Sequence, residues 1–323
     1  VSSEIHPGDI RPQEPVQPQE PVQYDEGFTP EVGVGPHPRP WPAGDRYDPE
    51  LLEHGDRRNV EVTRVIRQWR EAMPDAVLVD GFHALKHALR FGADVRVAIS
   101  SDKGSALALA DELADDLTVR ISDLVTEVPA QIFRDLVPRV HPTQVAALAV
   151  RPRRRANLDH LSRLPRSAPV VVLDNPRNLG NVGAVVRLAA GFGATGVVTT
   201  GDMDPWHPSV VRAGAGLHYA TAVERLPLED LPPGPLYALD PEGEDIRSVV
   251  LPDDALLAFG SERHGISPEV RERATKLVAL PMRPQVSSYN LATSVAMALF
   301  HWGGPPPPAQ SGQDDAPSSR TVM

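Results

Sequence analysis

Cysteine is absent from all 323 residues of the chain. Its absence excludes disulfides, thiolate metal sites and a cysteine nucleophile together. No apolar run approaches the ~18–20 residues that a membrane-spanning helix needs, so no membrane partner is expected. The first residues are polar and proline-rich, without the basic start and apolar core of a secretory signal. These absences make a cytoplasmic protein the default expectation. Five histidines, His83, His87, His207, His218 and His264, offer one helical pair, His83/His87, and no third ligand to go with it. A structural role is expected for that pair, and no metal.

What is present suits two ordinary domains: 323 residues, of which 41% are hydrophobic. The net charge of −11 argues weakly against nucleic acid, because residues 1–60 hold 12 acidic against 5 basic side chains. The middle of the chain is close to neutral and has room for a local basic patch, for which Arg151, Arg153, Arg154 and Arg155 are one candidate.

Residues 1–45 contain ten prolines and the repeat QEPVQ-P-QEPVQ, a composition that buries too little apolar surface to order itself. Residues 303–323 read the same way, so both ends are expected to be disordered tails. Residues 46–150 read as a small α/β domain. Helices are expected at 59–73, over the second half of 76–92, at 105–115 and at 128–137. Strands are expected at the start of 76–92, at 95–100, at 117–122 and at the end of 141–150. Residues 151–168 read as a charged linker or short helix.

A second block, 169–302, alternates strands (170–174, 196–200, 236–240, 255–259, 277–280) with helices (181–191, 208–214, 267–274, 288–302). The alternation predicts a mainly parallel sheet covered on both faces. Ligands of such sheets sit at the carboxyl ends of the strands. The loops 174–181, 201–207, 260–266 and 281–288 are therefore the ones to read for chemistry.

Gly191-Phe192-Gly193-Ala194-Thr195-Gly196 fits the dinucleotide pattern G-x-G-x-x-G, but it closes a helix and leads into a strand, the reverse of the required order. The stretch DNPRNLGNVGAVVRLAAGFGATG, residues 174–196, has the strand-loop-helix order instead. Asn181 reads as an N-cap for a helix starting at Val182. Arg187 stands among Gly183, Ala184, Ala190 and Gly191. Either it snorkels to solvent from an Ala-rich helix, or its guanidinium is presented over cleared ground to a bulky substrate.

Asn181-Val182-Gly183-Ala184-Val185-Val186-Arg187 resembles the first motif, N-x-G-x-x-x-R, of the SpoU (TrmH-like) branch of the SPOUT RNA methyltransferases. Gly260-Ser261-Glu262-Arg263-His264-Gly265-Ile266 is similar to the second motif, and Leu280-Pro281-Met282 with Ser288-Tyr289-Asn290-Leu291 resembles the third. Val211–Gly216 resembles a further conserved segment between the first two. Residues 75–150 look like the ribosomal-protein-like RNA-binding domain that often precedes this catalytic domain.

The resemblance implies an S-adenosylmethionine-dependent RNA (ribose-2′-O)-methyltransferase, a C-terminal trefoil knot and a homodimer. Ribosomal RNA is the favoured substrate, with tRNA as the alternative enzyme reading. A non-catalytic RNA-binding or assembly protein on the same fold is the alternative of another class. Matched residue by residue, the resemblance makes Arg187, Asn181, Glu262, Ser288 and Asn290 catalytic. It gives the cofactor to Gly260, Ser261, Glu262, Gly265, Leu280, Met282, Ser288, Asn290 and Leu291, and RNA contact to Arg187 and Arg212.

On the residues alone, other roles stay open. Glu262 also suits an exposed loop, Met282 a core position, and Ser288 an N-cap. Tyr289 stands where the family has Leu, Arg283-Pro284 where Gly is common, and Gly214 where Ser is frequent. In the first block Arg57, Arg58, Arg64, Arg67, Lys86 and Arg90 are either phosphate contacts or solvated charges.

Overall fold

The computed structural model describes residues 57–303, with side chains from residue 60 onward. The proline-rich tails, and the side chains of Arg57 and Arg58, lie outside the described residues. In chain order the first elements are α1 (Arg57–Ala72), β1 (Ala76–Asp80), α2 (Phe82–Arg90), β2 (Val95–Ser100) and α3 (Lys103–Leu113). They are followed by α4 (Thr118–Leu124), β3 (Val125–Glu127), α5 (Ala130–Leu136) and β4 (Val145–Val150). The strands form a mixed sheet in the order β1-β4-β2-β3. Helix α2 turns Phe82, Leu85 and Leu89 into its core, which leaves His83, Lys86 and His87 on the faces turned away from the sheet.

One expectation fails in this block. Leu117-Thr118-Val119-Arg120-Ile121-Ser122 alternates like a strand, but it forms a 3₁₀ turn running into α4. The helix buries Leu117 and Ile121, one turn apart, and leaves Val119, the middle of the alternation, 75% exposed. The strand follows it, at Val125–Glu127. In α1 the inward stripe is Val62, Val65, Ile66 and Trp69, with Val60 facing outward.

The second block contains α6 (Arg154–Leu161), β5 (Val170–Leu173), α7 (Leu179–Phe192), β6 (Gly196–Thr199), α8 (Pro208–Ala213) and β7 (Ala222–Arg225). It continues with β8 (Leu236–Asp245), β9 (Leu256–Phe259), α9 (Pro268–Arg273), β10 (Lys276–Ala279) and α10 (Leu291–Gly303). All five pairings of its sheet, β10-β8-β9-β5-β6-β7, are parallel. Strand β7 was not anticipated, and β8 runs ten residues, well past the expected end at 240. The stretch 151–168 is not bare linker: α6 docks on β7 and buries Leu161 completely.

Strand β5 explains the layering. Its side chains alternate, so Val171 and Leu173 pack under α7 and α10 while Val170 and Val172 pack against Leu161 and Val270 on the other face. All four are fully buried, worth about 1.5–3 kcal/mol apiece. The chain leaves β5 toward β6 and β7 on one side, then returns through β8 and β9 on the other. The order of strands therefore reverses beside β5, which opens a crevice between the loops that follow β5 and β9.

Candidate active site

Asp174, at the carboxyl end of β5, is 6% exposed and anchors the crevice. It accepts the Thr200 hydroxyl at 3.1 Å and the Ser267 amide at 2.7 Å, which ties the ends of β5 and β6 to the start of α9. Asn178, not Asn181, caps α7: its side chain accepts the Asn181 amide at 3.0 Å. Asn181 thus lies within the first turn, with its side chain free to reach sideways.

That side chain joins three loops. Asn181 Nδ2 donates to Glu262 Oε1 at 2.7 Å, and Asn181 Oδ1 accepts from Asn290 Nδ2 at 3.1 Å. Asn290 in turn caps α10, accepting the Ala292 amide at 2.9 Å; Ser288 does not serve as the cap. The loop after β9 is closed on itself. Ser261 and Gly265 exchange both backbone hydrogen bonds at 3.0 Å, so these two amides are spent inside the loop. A Cβ at Gly260 would lie 1.9 Å from the Gly265 carbonyl carbon, so only glycine fits there. In the loop before α10, the Tyr289 hydroxyl donates to the Pro281 carbonyl at 2.9 Å. The tyrosine that replaces the family leucine thus pins the loop that carries Met282.

These loops surround a cleft of about 340 Å³. Leu239, Phe259, Leu280, Met282 and Leu291 supply its apolar surface; Asp240, Ser261, Glu262 and Ser288 supply its polar surface.

Arg187 lies elsewhere. It is six residues beyond Asn181 on α7, about 600° of helical rotation, and it points to another face. There it lines a second cleft, of about 420 Å³, together with Asp80, His83, Lys86, His87, His141 and Arg212. Arg212 reaches back to the buried Asp80 at 2.8 Å and to the Arg139 carbonyl at 3.3 Å. Burial pushes the Asp80 carboxyl up to about 6, against the pull of Arg212 and Arg139. Desolvation outweighs the ion pair here, because a carboxylate 5% exposed has lost most of its water.

Residues 168–300 match the SpoU rRNA Methylase family. The chain carries a SpoU domain. It is 28% identical to an uncharacterized tRNA/rRNA methyltransferase of Synechocystis, covering 69% of this chain and 82% of that one. It is also 28% identical to the 23S rRNA (adenosine(1067)-2′-O)-methyltransferase of Streptomyces laurentii, over 79% of this chain and 92% of the relative. The fold matches the SpoU methyltransferase AviRb of Streptomyces viridochromogenes, solved with AdoMet, at a TM-score of 0.59 and 21% identity, over 79% and 94% of the two chains.

Within the SpoU domain the structure gathers Asn181, Glu262 and Asn290 into one linked group, and places Gly260, Ser261, Glu262, Gly265, Leu280, Met282, Ser288 and Leu291 around one cleft. It does not bring Arg187 to that cleft within the same chain. Gly183 does not clear ground for Arg187 either: a Cβ there would meet Ala213 Cβ and the Val210 carbonyl at 2.5 Å, so the missing side chain lets α8 pack against α7. Gly214, at the family serine position, has the His218 ring 2.8 Å from where its Cβ would stand, which leaves no room for a side chain.

The proposed basic patch is partly consumed. Arg151 stacks over Trp206 at 5.3 Å and lies 3.9 Å from the buried Glu224, and Arg154 lies 3.5 Å from the same carboxylate. Arg90 pairs with Asp116. His87 Nδ1 is bonded to the Ala215 carbonyl at 2.8 Å, and among the described residues no group of three or more His, Cys, Asp or Glu is placed to hold a metal ion. No described helix is long and apolar enough to cross a membrane.

Sequence reasoning missed Leu239, Asp240 and Pro241, which line the loop cleft from β8. The available clue was Asp240-Pro241 at the expected end of a parallel strand, the same position that marked the other loops.

Proposed function

We propose that this chain methylates a ribose 2′-hydroxyl of RNA with S-adenosylmethionine as donor, that its substrate is ribosomal RNA, and that it works as a cytoplasmic homodimer. The observation that carries the proposal is the hydrogen-bonded line Asn290–Asn181–Glu262, which locks the three loops around one cleft.

That cleft fits the cofactor. Its apolar wall of Leu280, Met282, Leu291 and Leu239 suits an adenine, and the Glu262 carboxylate suits the cationic end of the molecule, Asp240 being already paired with Arg271. When bound, S-adenosylmethionine supplies an electrophilic methyl group on a sulfonium. The protein's task is to position a weak nucleophile and to stabilise the negative charge that grows on its oxygen. Arg187 suits the second task as a permanent cation, exposed and without a hydrogen bond or ion pair among the described residues. Because Arg187 faces away from its own chain's loop cleft, we assign it to the loop cleft of a second copy. The exposed Phe300 on α10 offers an apolar contact for that copy. The knot implied by the family belongs to the same proposal, since it would bring the loops before α10 and after β9 together.

Incubating the full chain with methyl-labelled S-adenosylmethionine and separate rRNA and tRNA transcripts tests the reading. Label in rRNA that maps to a ribose 2′-oxygen is expected. Label in tRNA alone would reassign the substrate, and label in neither would overturn the reading.

A further inference from the structure

Apart from Arg187, the second cleft has a composition that the reaction does not require. Three of its groups come from the small sheet's side: His83 and Lys86 on α2, and His141 in the segment before β4. Arg187 closes it from α7. Its single carboxylate, Asp80, is buried and already paired with Arg212. Lys86 and Arg187 make no hydrogen bond or ion pair among the described residues, so both cations line the open cleft with their donors unspent; burial, then Arg90, holds the Lys86 ammonium below its usual range, with Asp116 pulling the other way.

The His141 imidazole is held in a defined state. The Thr143 amide donates to His141 Nδ1 at 3.2 Å, which makes that nitrogen an acceptor and leaves the proton on Nε2. The Thr143 hydroxyl sits 2.8 Å from the same nitrogen and is itself fixed by the Phe82 amide at 3.0 Å. Gly81 cradles the ring: a Cβ there would lie 2.9 Å from two of its carbons, at a backbone φ of +97°. His141 therefore presents an N–H donor whose orientation is fixed before any ligand arrives. Burial, then the charges of Lys86 and Arg187, hold the His83 imidazole below its usual range, as expected of a ring among cations.

We propose that this cleft grips a backbone phosphate of the RNA substrate through Lys86, with N–H donation from His141 and His83, beside the Arg187 that serves the reaction. The chemistry matches a phosphodiester: convergent N–H donors, an excess of cations over carboxylates, and an opening to solvent through which a chain enters and leaves. The cleft is walled by both blocks of the molecule, so one phosphate would hold the small block and the SpoU domain in register on the same RNA. This inference rests on RNA being the substrate.

The test uses the full chain, a large-subunit rRNA transcript, and the variants Lys86→Ala and His141→Gln. Lys86 is only partly buried, so its loss leaves the fold intact, and an unchanged melting temperature confirms this. For Lys86→Ala the KM for rRNA is expected to rise about tenfold, and the slope of log affinity against log salt to fall by about one. Binding of S-adenosylmethionine, followed by calorimetry, is expected to stay at the wild-type value. His141→Gln, which keeps an N–H donor, is expected to retain more rRNA affinity than His141→Ala.

If wild type methylates rRNA while Lys86→Ala matches it in KM and salt slope, the phosphate site is overturned and the activity stands. If wild type neither binds nor methylates RNA, both readings fall. Inorganic phosphate at millimolar concentration separates the remaining source: histidine NMR shifts at His83 and His141 that appear with phosphate but not with rRNA make the cleft a free-anion site and sink the proposal.

Discussion

At the loop cleft, Asn181, Glu262 and Asn290 use their polar atoms on one another. Across α7, Lys86 and Arg187 leave theirs without partners among the described residues. The first cleft is built for a fixed shape. Its hydrogen bonds are made within the protein, its hairpin closes on Gly260, and Tyr289 ties down the loop of Met282. The second is built for a ligand's charge, which is why its one acid is already neutralised by Arg212. The contrast separates a place that preorganises a small molecule from a place that waits for a polyanion.

Four changes would break or sharpen that contrast. Arg187→Ala is expected to lower methyl transfer by about a thousandfold, the scale of losing a group that stabilises transition-state charge, while S-adenosylmethionine binding, measured by calorimetry, is unchanged. Joint loss of both would place Arg187 in the fold rather than in the chemistry. Gly260→Ala forces the hairpin open and is expected to cost about a hundredfold in rate, since misplacements near 1 Å have effects of that size. Unlike Arg187→Ala, it should weaken cofactor binding in the same titration.

Asn181→Ala cuts both links between the three loops. With about 1 kcal/mol for each hydrogen bond, a rate loss of about tenfold or somewhat more is expected in single-turnover assays, and native-state hydrogen exchange should show the loops 260–266 and 281–290 opening more often. An equal exchange pattern would mean that the amide line is incidental.

The last change concerns stability rather than rate. Burial drives the His218 imidazole down to about 4, from an ordinary 6.5. The unfolded chain takes up this proton before the native one does, so stability present above pH 6.5 is lost as pH falls toward 4, by about 3 kcal/mol in all. Asp80 acts in the opposite direction. Its carboxyl, raised to about 6, takes up a proton in the native state first, so its contribution to stability grows as pH falls through 6 toward 3.8. Urea unfolding of Asp80→Asn between pH 7 and 4 is therefore expected to show a steeper acid loss than wild type; a flatter one would reverse the assignment of the two groups.

Much of the catalytic block is legible in the sequence because its signals are local. Val170–Leu173 is apolar throughout and becomes a strand buried on both faces, and the Asn/Gly loop after it becomes the turn into α7. The expected strand at 117–122 fails because two-residue alternation over six residues also fits one turn and a half of helix, and burial of Ile121 with exposure of Val119 selects the helix. The cap of α7 was misassigned by one turn, since Asn178 and Asn181 are equally good caps by residue type and only the backbone shows which one stands outside the helix.

The sequence alone determined the alternation of strands and helices, the glycines at forced backbone positions, and the residue types in each loop, because these follow from the backbone preferences of neighbouring residues. The tertiary structure decided which charges are spent. Arg212 is committed to Asp80, 132 residues away, and Arg151 and Arg154 to Glu224, while Lys86 and Arg187 keep theirs. Partners that far apart in the chain are selected by the packing of one sheet's helices against the other's, and no local pattern encodes that choice.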